Sequence, residues 1–408
     1  MKVLVTGAAG FIGFSLSRVL LARGDEVIGL DCVNDYYDVS LKEARLAALR
    51  EAGGSRFTFV HQDFADYAAL VEALKPHSFD RVVHLGAQAG VRYSITNPHA
   101  YLHANLAGHL NMLEVARHRS LDNMVYASSS SVYGGNTKLP FAVEDRVDQP
   151  ISLYAATKKA DELMSETYAH LYRLPLTGLR FFTVYGPWGR PDMMMWIFTK
   201  KIMAGEPIPL FNHGDMYRDF TYIDDIIAGV IACLDNPPPD DGLEKAGGSV
   251  KPHRLYNIGN HKSEHLMKVV GILEEECGRK AEILDAFVFA KGDIDAGFLE
   301  PALLLGNENR ARRRQPQQRD RSTAPAGYPP RWIRVAAWPD SMRVQWRPVA
   351  LEDVSTAAGA GKDPGQWASG FGLNIAGNLL PTSPGELLLT TLLAAFPEAR
   401  SALASQEG

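Results

Sequence analysis

Cysteine is scarce in this 408-residue chain: Cys32, Cys233 and Cys277 are the only three. An odd, widely spaced set builds no disulfide framework and has no metal-ligand spacing. A reducing cytoplasm is therefore the expected location, and no metal site is expected. Long apolar runs are missing as well. Nowhere do about 20 apolar residues follow one another, so no membrane-spanning helix is expected. The apolar start after Met1-Lys2 is broken by Gly7, Gly10 and Gly13, with Arg18, Arg23 and Asp25 close behind, which reads as a buried strand and not as a secretory signal. Excess positive charge is lacking too. The formal net charge is -5, so no overall basic field attracts nucleic acid or an anionic membrane surface.

What is present is the composition of a globular enzyme. Hydrophobic residues make up 46% and charged residues 22% of the chain, and the length suits about two domains of ~150 residues each. In the first half, short β-branched runs alternate with amphipathic segments. The runs 2–6, 26–30, 57–60, 81–85, 123–127 and 176–180 read as strands. The segments 14–23, 41–51, 67–74, 105–117 and 154–172 read as helices. Such a βαβα series predicts an α/β fold with a doubly wound parallel sheet of the Rossmann type. From about Trp188 the pattern becomes mixed, with helices expected at 194–204, 223–234 and 266–278 and a short strand at 208–211. This predicts a smaller mixed α/β domain.

The segment Gly7-Ala8-Ala9-Gly10-Phe11-Ile12-Gly13 lies between a strand and a helix. Small residues there let the backbone approach a pyrophosphate, and the helix N-terminus offers free N–H groups with a partial positive charge. A glycine turn alone is a weak signal, because a simple tight turn needs the same residues. Asp31 strengthens it: it ends the second strand, where a carboxylate accepts from both ribose hydroxyls and repels a 2′-phosphate, which favours NAD over NADP. Asp63-Phe64 follows the third strand and is a candidate for the adenine edge; the alternative for Asp63 is a helix cap.

The chemical motif is Tyr154-Ala155-Ala156-Thr157-Lys158. Positions i and i+4 share a helix face, and an ammonium near a phenol favours phenolate. The tyrosine is then a candidate general base on a sugar hydroxyl while a nicotinamide accepts hydride. Upstream, Ser128-Ser129-Ser130-Ser131 follows a strand that should end at the cofactor edge of the sheet, where a hydroxyl relays or orients the proton.

The glycine turn, the serine run with Val132-Tyr133-Gly134, Tyr154/Lys158, and the stretch Arg180 to Pro187 together resemble the extended short-chain dehydrogenase/reductase family of NAD-dependent epimerases and dehydratases. The chain is most similar to the UDP-glucuronate 4-epimerase branch, through Asn34-Asp35-Tyr36-Tyr37-Asp38, Ala87 to Ser94, Trp188 to Met193, Asp219 to Asp225 and Tyr256 to Asn260. The resemblance covers residues 1 to 282. It implies tightly held NAD and a transient 4-keto sugar, with Tyr154 taking the O4 proton as hydride leaves C4. It also implies that Lys158 binds the nicotinamide ribose and that Ser129 is the hydroxyl partner, with Ser130 as the alternative. Thr183 falls where relatives contact the nucleotide sugar, and Arg218 where they hold the diphosphate.

A uronic acid calls for a cation or directed hydroxyls at its carboxylate. Arg92 and Arg190 lie in loops expected near the sugar; a surface or nucleotide-binding role is the alternative for each. The expected reaction is thus UDP-glucuronate to UDP-galacturonate. The alternatives are UDP-glucuronate decarboxylation, UDP-glucose 4-epimerisation, and an inert NAD-binding protein. The family also implies a homodimer, through the helices near 105–117 and 154–172.

The expected divisions are 1–187 for NAD binding, 188–282 for the nucleotide sugar, and 283–408 as an atypical tail. In that tail no lysine occurs between Lys291 and Lys362, and arginine clusters at Arg310, Arg312, Arg313 and Arg314. The composition is that of out-of-frame translation of a GC-rich gene, so a frameshifted, poorly packed segment is expected there, with an appended domain as the alternative.

Overall fold

A computed structural model describes residues 1–286. The expectation for a poorly packed tail falls outside the described residues except at 283–286, which form a strand.

The strands are β1 (Lys2–Thr6), β2 (Glu26–Asp31), β3 (Phe57–His61), β4 (Arg81–His84), β5 (Asn123–Ser129), β6 (Leu176–Phe181), β7 (Thr183–Tyr185), β8 (Ile208–Phe211), β9 (Tyr217–Tyr222), β10 (His253–Ile258), β11 (Ser263–His265) and β12 (Ile283–Ala286). The helices are α1 (Phe11–Arg23), α2 (Val39–Gly53), α3 (Tyr67–Leu74), the single turns α4 (Tyr93–Thr96) and α5 (Pro98–Tyr101), then α6 (Gly108–Arg119), α7 (Leu153–Tyr172), α8 (Met194–Ala204), α9 (Ile223–Asp235) and α10 (Leu266–Glu276).

Seven parallel strands form the main sheet in the order β10-β6-β5-β4-β1-β2-β3. The strand order reverses between β1 and β4, which opens a crevice at the carboxyl ends of the strands. Both faces are covered, so the central strands are apolar on both sides: Val3, Leu4 and Val5 of β1 are all fully buried. One face packs Phe14, Leu16 and Leu20 of α1 and Leu46 of α2 with Ile226 and Val230 of α9. The other packs Leu70 and Leu74 of α3 with Met112 and Leu113 of α6. The smaller unit has its own core, in which Phe198 and Ile202 of α8 meet Ile208 and Leu210 of β8 and Val270 and Leu273 of α10. Its sheets are β11-β9-β7 and β12-β8.

The expected division at 187/188 is crossed by the chain. After β7–β9, α9 returns to pack beside α1 and β10 pairs with β6 in the main sheet. Residues 283–286 pair with β8, so the smaller unit extends past 282.

Helix ends follow local chemistry. Helix α1 begins three residues before the expected Phe14, because Gly10, extended at φ -76 and ψ 168, is its cap. Ser152 caps α7 by accepting from the Ala155 amide. The expected helix from Asn105 is instead split: π-type turns span Leu102–Ala107 before α6 starts at Gly108.

Candidate active site

The site collects at the carboxyl ends of β1, β2, β4, β5 and β6. Gly7 stands at φ +69, a left-handed conformation that suits glycine. Its amide donates to the Leu30 carbonyl of β2. A Cβ on Gly13 would lie 2.1 Å from the Gly7 carbonyl oxygen, so the turn closes only with glycine at both positions. Helix α1 starts with no side-chain cap, and the first amides of any helix have no acceptor within it. Phe11 is buried in the core, Ile12 packs against it, and their backbone N–H groups belong to this helix start. Asp31 lies beside the turn, accepting from the Ala9 amide at 3.1 Å and the Val33 amide at 2.8 Å. A tight turn, amides of a helix N-terminus and an adjacent carboxylate are the set a dinucleotide needs, so these residues fit NAD.

Asp63 turns out to be bonded locally. It accepts from the Ala65 amide and faces His103 Nε2 at 2.8 Å, while Asp66 is the residue that caps α3. Phe64 is a core side chain packed against Gly86 and Gly108, where a Cβ would meet its ring. Any adenine contact of Phe64 therefore belongs to its backbone.

At the end of β5, Ser128 and Ser129 diverge. Ser128 donates to Glu162 Oε1 at 2.7 Å and is engaged in the core. The Ser129 hydroxyl accepts from the Ser131 amide at 3.1 Å, with Ser130 beginning the short turn that follows. Tyr154 and Lys158 both sit on α7. The Tyr154 ring meets Tyr101 edge-on, 6.0 Å between centroids. The buried Lys158 ammonium donates to the Ala127 carbonyl at 2.9 Å and to Asp161 at 3.0 Å. The phenol expected beside it is not among its hydrogen-bond partners here: the ammonium turns toward β5 and its own helix. Burial pushes the Asp161 carboxyl up to about 6, against the pull of Lys158.

Arg190 is drawn in by its neighbours. It forms a two-pronged pair with Asp192, Nε to Oδ1 at 3.0 Å, and lies over the Tyr36 ring. Tyr36 donates to the same carboxylate at 3.2 Å, and burial followed by Asp192 pushes its phenol up to about 12. Burial also raises the Tyr101 phenol, and Tyr36, Tyr154 and Arg190 all act on it electrostatically. A row of rings, Tyr36–Tyr93 at 4.9 Å, Tyr93–Tyr101 at 6.3 Å and Tyr101–Tyr154 at 6.0 Å, thus runs from the Arg190 loop to the α7 tyrosine.

The remaining expected residues lie on the smaller unit's side. Arg92 covers the Phe211 ring of β8 at 4.3 Å. Thr183 opposes Phe220 in the β7–β9 pair, two residues from Arg218 on β9. Arg218 donates to its neighbour's carbonyl at Tyr217.

Asn105 escaped the sequence reading. It is buried, accepts from the Gln88 amide at 2.8 Å, and donates to the Gln88 carbonyl and to Thr157 Oγ1 at 3.0 Å. It ties the loop after β4 to α7 next to Lys158. Asn105 is one of several polar residues in this stretch, beside His103, His109 and Asn111, so nothing local singled it out.

The model of the NAD dependent epimerase/dehydratase family matches residues 3–259 of this chain. The chain is 50% identical over 286 residues to Protein CapI of Staphylococcus aureus, covering 69% of this chain and 85% of that protein. It is 51% identical over 286 residues to UDP-glucuronate 4-epimerase 4 of Arabidopsis thaliana, covering 69% and 65%. The crystal structure of UDP-glucuronic acid 4-epimerase from Bacillus cereus, in complex with UDP-glucuronic acid and NAD, superposes with a TM-score of 0.61 at 33% identity, covering 70% of this chain and 86% of that one.

Proposed function

The chain belongs to the NAD dependent epimerase/dehydratase family, and from that premise we propose that it inverts C4 of UDP-glucuronate to give UDP-galacturonate. The observation that carries the reading is the row of aromatic rings from Tyr36 through Tyr93 and Tyr101 to Tyr154. It joins a loop with the chemistry to select an acid, whose Arg190 lies over Tyr36, to a helix-borne tyrosine with the chemistry of a general base. The relatives described as UDP-glucuronate 4-epimerases support the choice of substrate.

In this reading NAD, when bound, supplies the hydride acceptor and then the hydride donor at C4. Tyr154 takes the O4 proton and gives it back after the sugar has turned over. Ser129 orients that proton, with Ser130 beside it. Lys158, held by Ala127 and Asp161, is assigned to the nicotinamide ribose. Asp31 accepts from the adenosine ribose, and Asp63 with the Phe64 backbone borders the adenine. Arg218 serves the diphosphate. The uronate carboxylate meets Thr183 and Ser130 as hydroxyl donors and Arg190 as the nearby cation, whose fork Asp192 already fills. Arg92 closes the smaller unit over the sugar through its stack on Phe211.

The test is product identity. Purified protein is incubated with UDP-glucuronate and followed by NMR. UDP-galacturonate is the expected product. A UDP-pentose with CO2 replaces the reading by decarboxylation, and turnover of UDP-glucose alone removes the uronate from it.

A further inference from the structure

Arg45 lies in the middle of α2 and is fully buried. Three separate parts of the chain converge on its guanidinium. One terminal nitrogen donates to the Ala9 carbonyl of the glycine turn at 2.8 Å and to the Tyr37 hydroxyl at 2.7 Å. The other donates to the Trp188 carbonyl at 2.5 Å, with Gly189 at 3.4 Å. Its Nε has no hydrogen-bond partner among the described residues. Its bonds run to carbonyls and a phenol, so among the described residues this buried cation has no partner carboxylate of the kind that ordinarily offsets desolvation. An apolar side chain fills space without that penalty, so packing alone does not account for a guanidinium here.

What the fork holds is informative. Ala9 belongs to the glycine turn that fits a dinucleotide, and its amide donates to Asp31. Trp188 has φ +62, a left-handed conformation disfavoured for a bulky residue. Its ring packs on Phe14 of α1 at 5.2 Å, and the turn closed by Gly189 on Gly186 leads directly to Arg190. The strained loop is thus held from two sides, by a ring contact and by Arg45.

We propose that Arg45 is a positioning residue that couples dinucleotide binding to uronate binding, by fastening the glycine turn and the Arg190 loop to one rigid fork. The inference rests on UDP-glucuronate as the substrate. Coupling between two ligands is reciprocal, so it has a direct readout: bound UDP-glucuronate slows the loss of NAD, and the loss of Arg45 removes that protection.

The experiment follows NAD release by gel filtration and absorbance, with and without UDP-glucuronate, in the wild type, Arg45→Met and Arg45→Lys. UDP alone, which lacks the uronate, serves as the reference ligand. In Arg45→Met the protection by UDP-glucuronate should shrink about tenfold, the scale of one lost charge-assisted hydrogen bond, while protection by UDP changes less than about twofold. Arg45→Lys keeps the charge without the fork and should fall between. A merely structural role lowers thermal stability and leaves the ratio of the two protections unchanged, and that result overturns the proposal. If Arg45→Met does not fold, Tyr37→Phe removes one anchor of the fork and must shift the same ratio in the same direction; no shift again overturns it. A wild type that does not bind UDP-glucuronate refutes the substrate reading alone, whereas a wild type that shows protection beside unaltered variants refutes the coupling alone.

Discussion

Replacing Arg180 by methionine should destabilise the chain by about 3–5 kcal/mol at neutral pH, the cost of leaving one partner of a buried ion pair alone. Arg180 and Glu162 are 1% and 2% exposed. Their two bonds, at 2.8 and 2.9 Å, join β6 to the middle of α7. Without Arg180, Glu162 keeps, among the described residues, the Ser128 hydroxyl at 2.7 Å and the Lys159 ammonium at 3.3 Å. For a chain of this size the loss corresponds to a Tm lower by roughly 6–15 °C, read by thermal unfolding at matched NAD occupancy. The pH dependence sharpens the test. Burial raises the Glu162 carboxyl, yet Arg180, Lys159 and Ser128 outweigh it and hold it below its ordinary 4.5. A depressed carboxylate stabilises the fold above that ordinary value, and the contribution is lost as pH falls through the folded one. In Arg180→Met the burial effect prevails, so the acid protonates within the fold. The gap between variant and wild type should therefore be widest near neutrality and narrow toward about pH 4. The double variant Glu162→Leu/Arg180→Met removes the orphaned charge and should recover most of the loss. A Tm shift under about 2 °C, a gap constant with pH, or a double variant no better than the single one refutes the reasoning.

Tyr154→Phe should lower kcat by about 10²- to 10⁴-fold and leave bound NAD in place; activity near wild type removes Tyr154 as the base. Gly13→Ala drives a Cβ to 2.1 Å from the Gly7 carbonyl and should weaken NAD binding at least about tenfold by titration, whereas Gly271→Ala in α10 meets open space and should stabilise by about 0.5–1 kcal/mol. His84 is held down to about 3 by burial and then by Lys158, so its contribution is complete above its unfolded value near 6.5 and is lost as pH falls from there toward 3. The acid limb of the stability curve should steepen over that window, by an amount on the order of 5 kcal/mol if the whole shift is expressed, and His84→Asn should flatten it; parallel curves count against the assignment. The homodimer expected through α6 and α7 leaves Leu110, Leu163 and Leu171 exposed on the single chain, so Leu163→Glu should halve the mass seen by light scattering, and a monomeric wild type ends that expectation.

The main sheet was legible because its central strands are short apolar runs between polar breaks, buried on both faces, and the edge strand β3 still carries Phe57, Phe59 and Val60. Of the smaller strands, β8 at Ile208–Phe211 was legible and the three-residue ones were not. β7 and β11 have three residues each, too few to show a period, and their pairing depends on β9, 34 or more positions away from the start of β7. The glycine turn was legible for a different reason: a Cβ at Gly13 is excluded by backbone, and a requirement that strict leaves a mark in composition. Asn105 left no such mark. Its partners, Gln88 and Thr157, are 17 and 52 residues away, and the π-type turns that aim it arise from packing, which no local period encodes.

The same limit explains why the cations of the site were found while their partners were not. Arg190 was read as a charge awaiting a carboxylate, but Asp192, two positions on, already fills its fork. Lys158 was read as facing Tyr154, but Asp161, one turn on, takes its ammonium. In both cases a residue two or three positions on wins, because closing a loop or turn of that length requires little ordering beyond what the fold imposes. Arg190 is thus locally neutralised, and in the proposed reading the affinity for a uronate depends on the wider balance. Lys42 and Arg45 stand with Arg190 against Asp31 and Asp192 in one electrostatic neighbourhood. Arg45 and Lys42, which no motif singled out, thus belong to the electrostatics of this corner, while Arg190 and Asp192 fix each other's geometry across it.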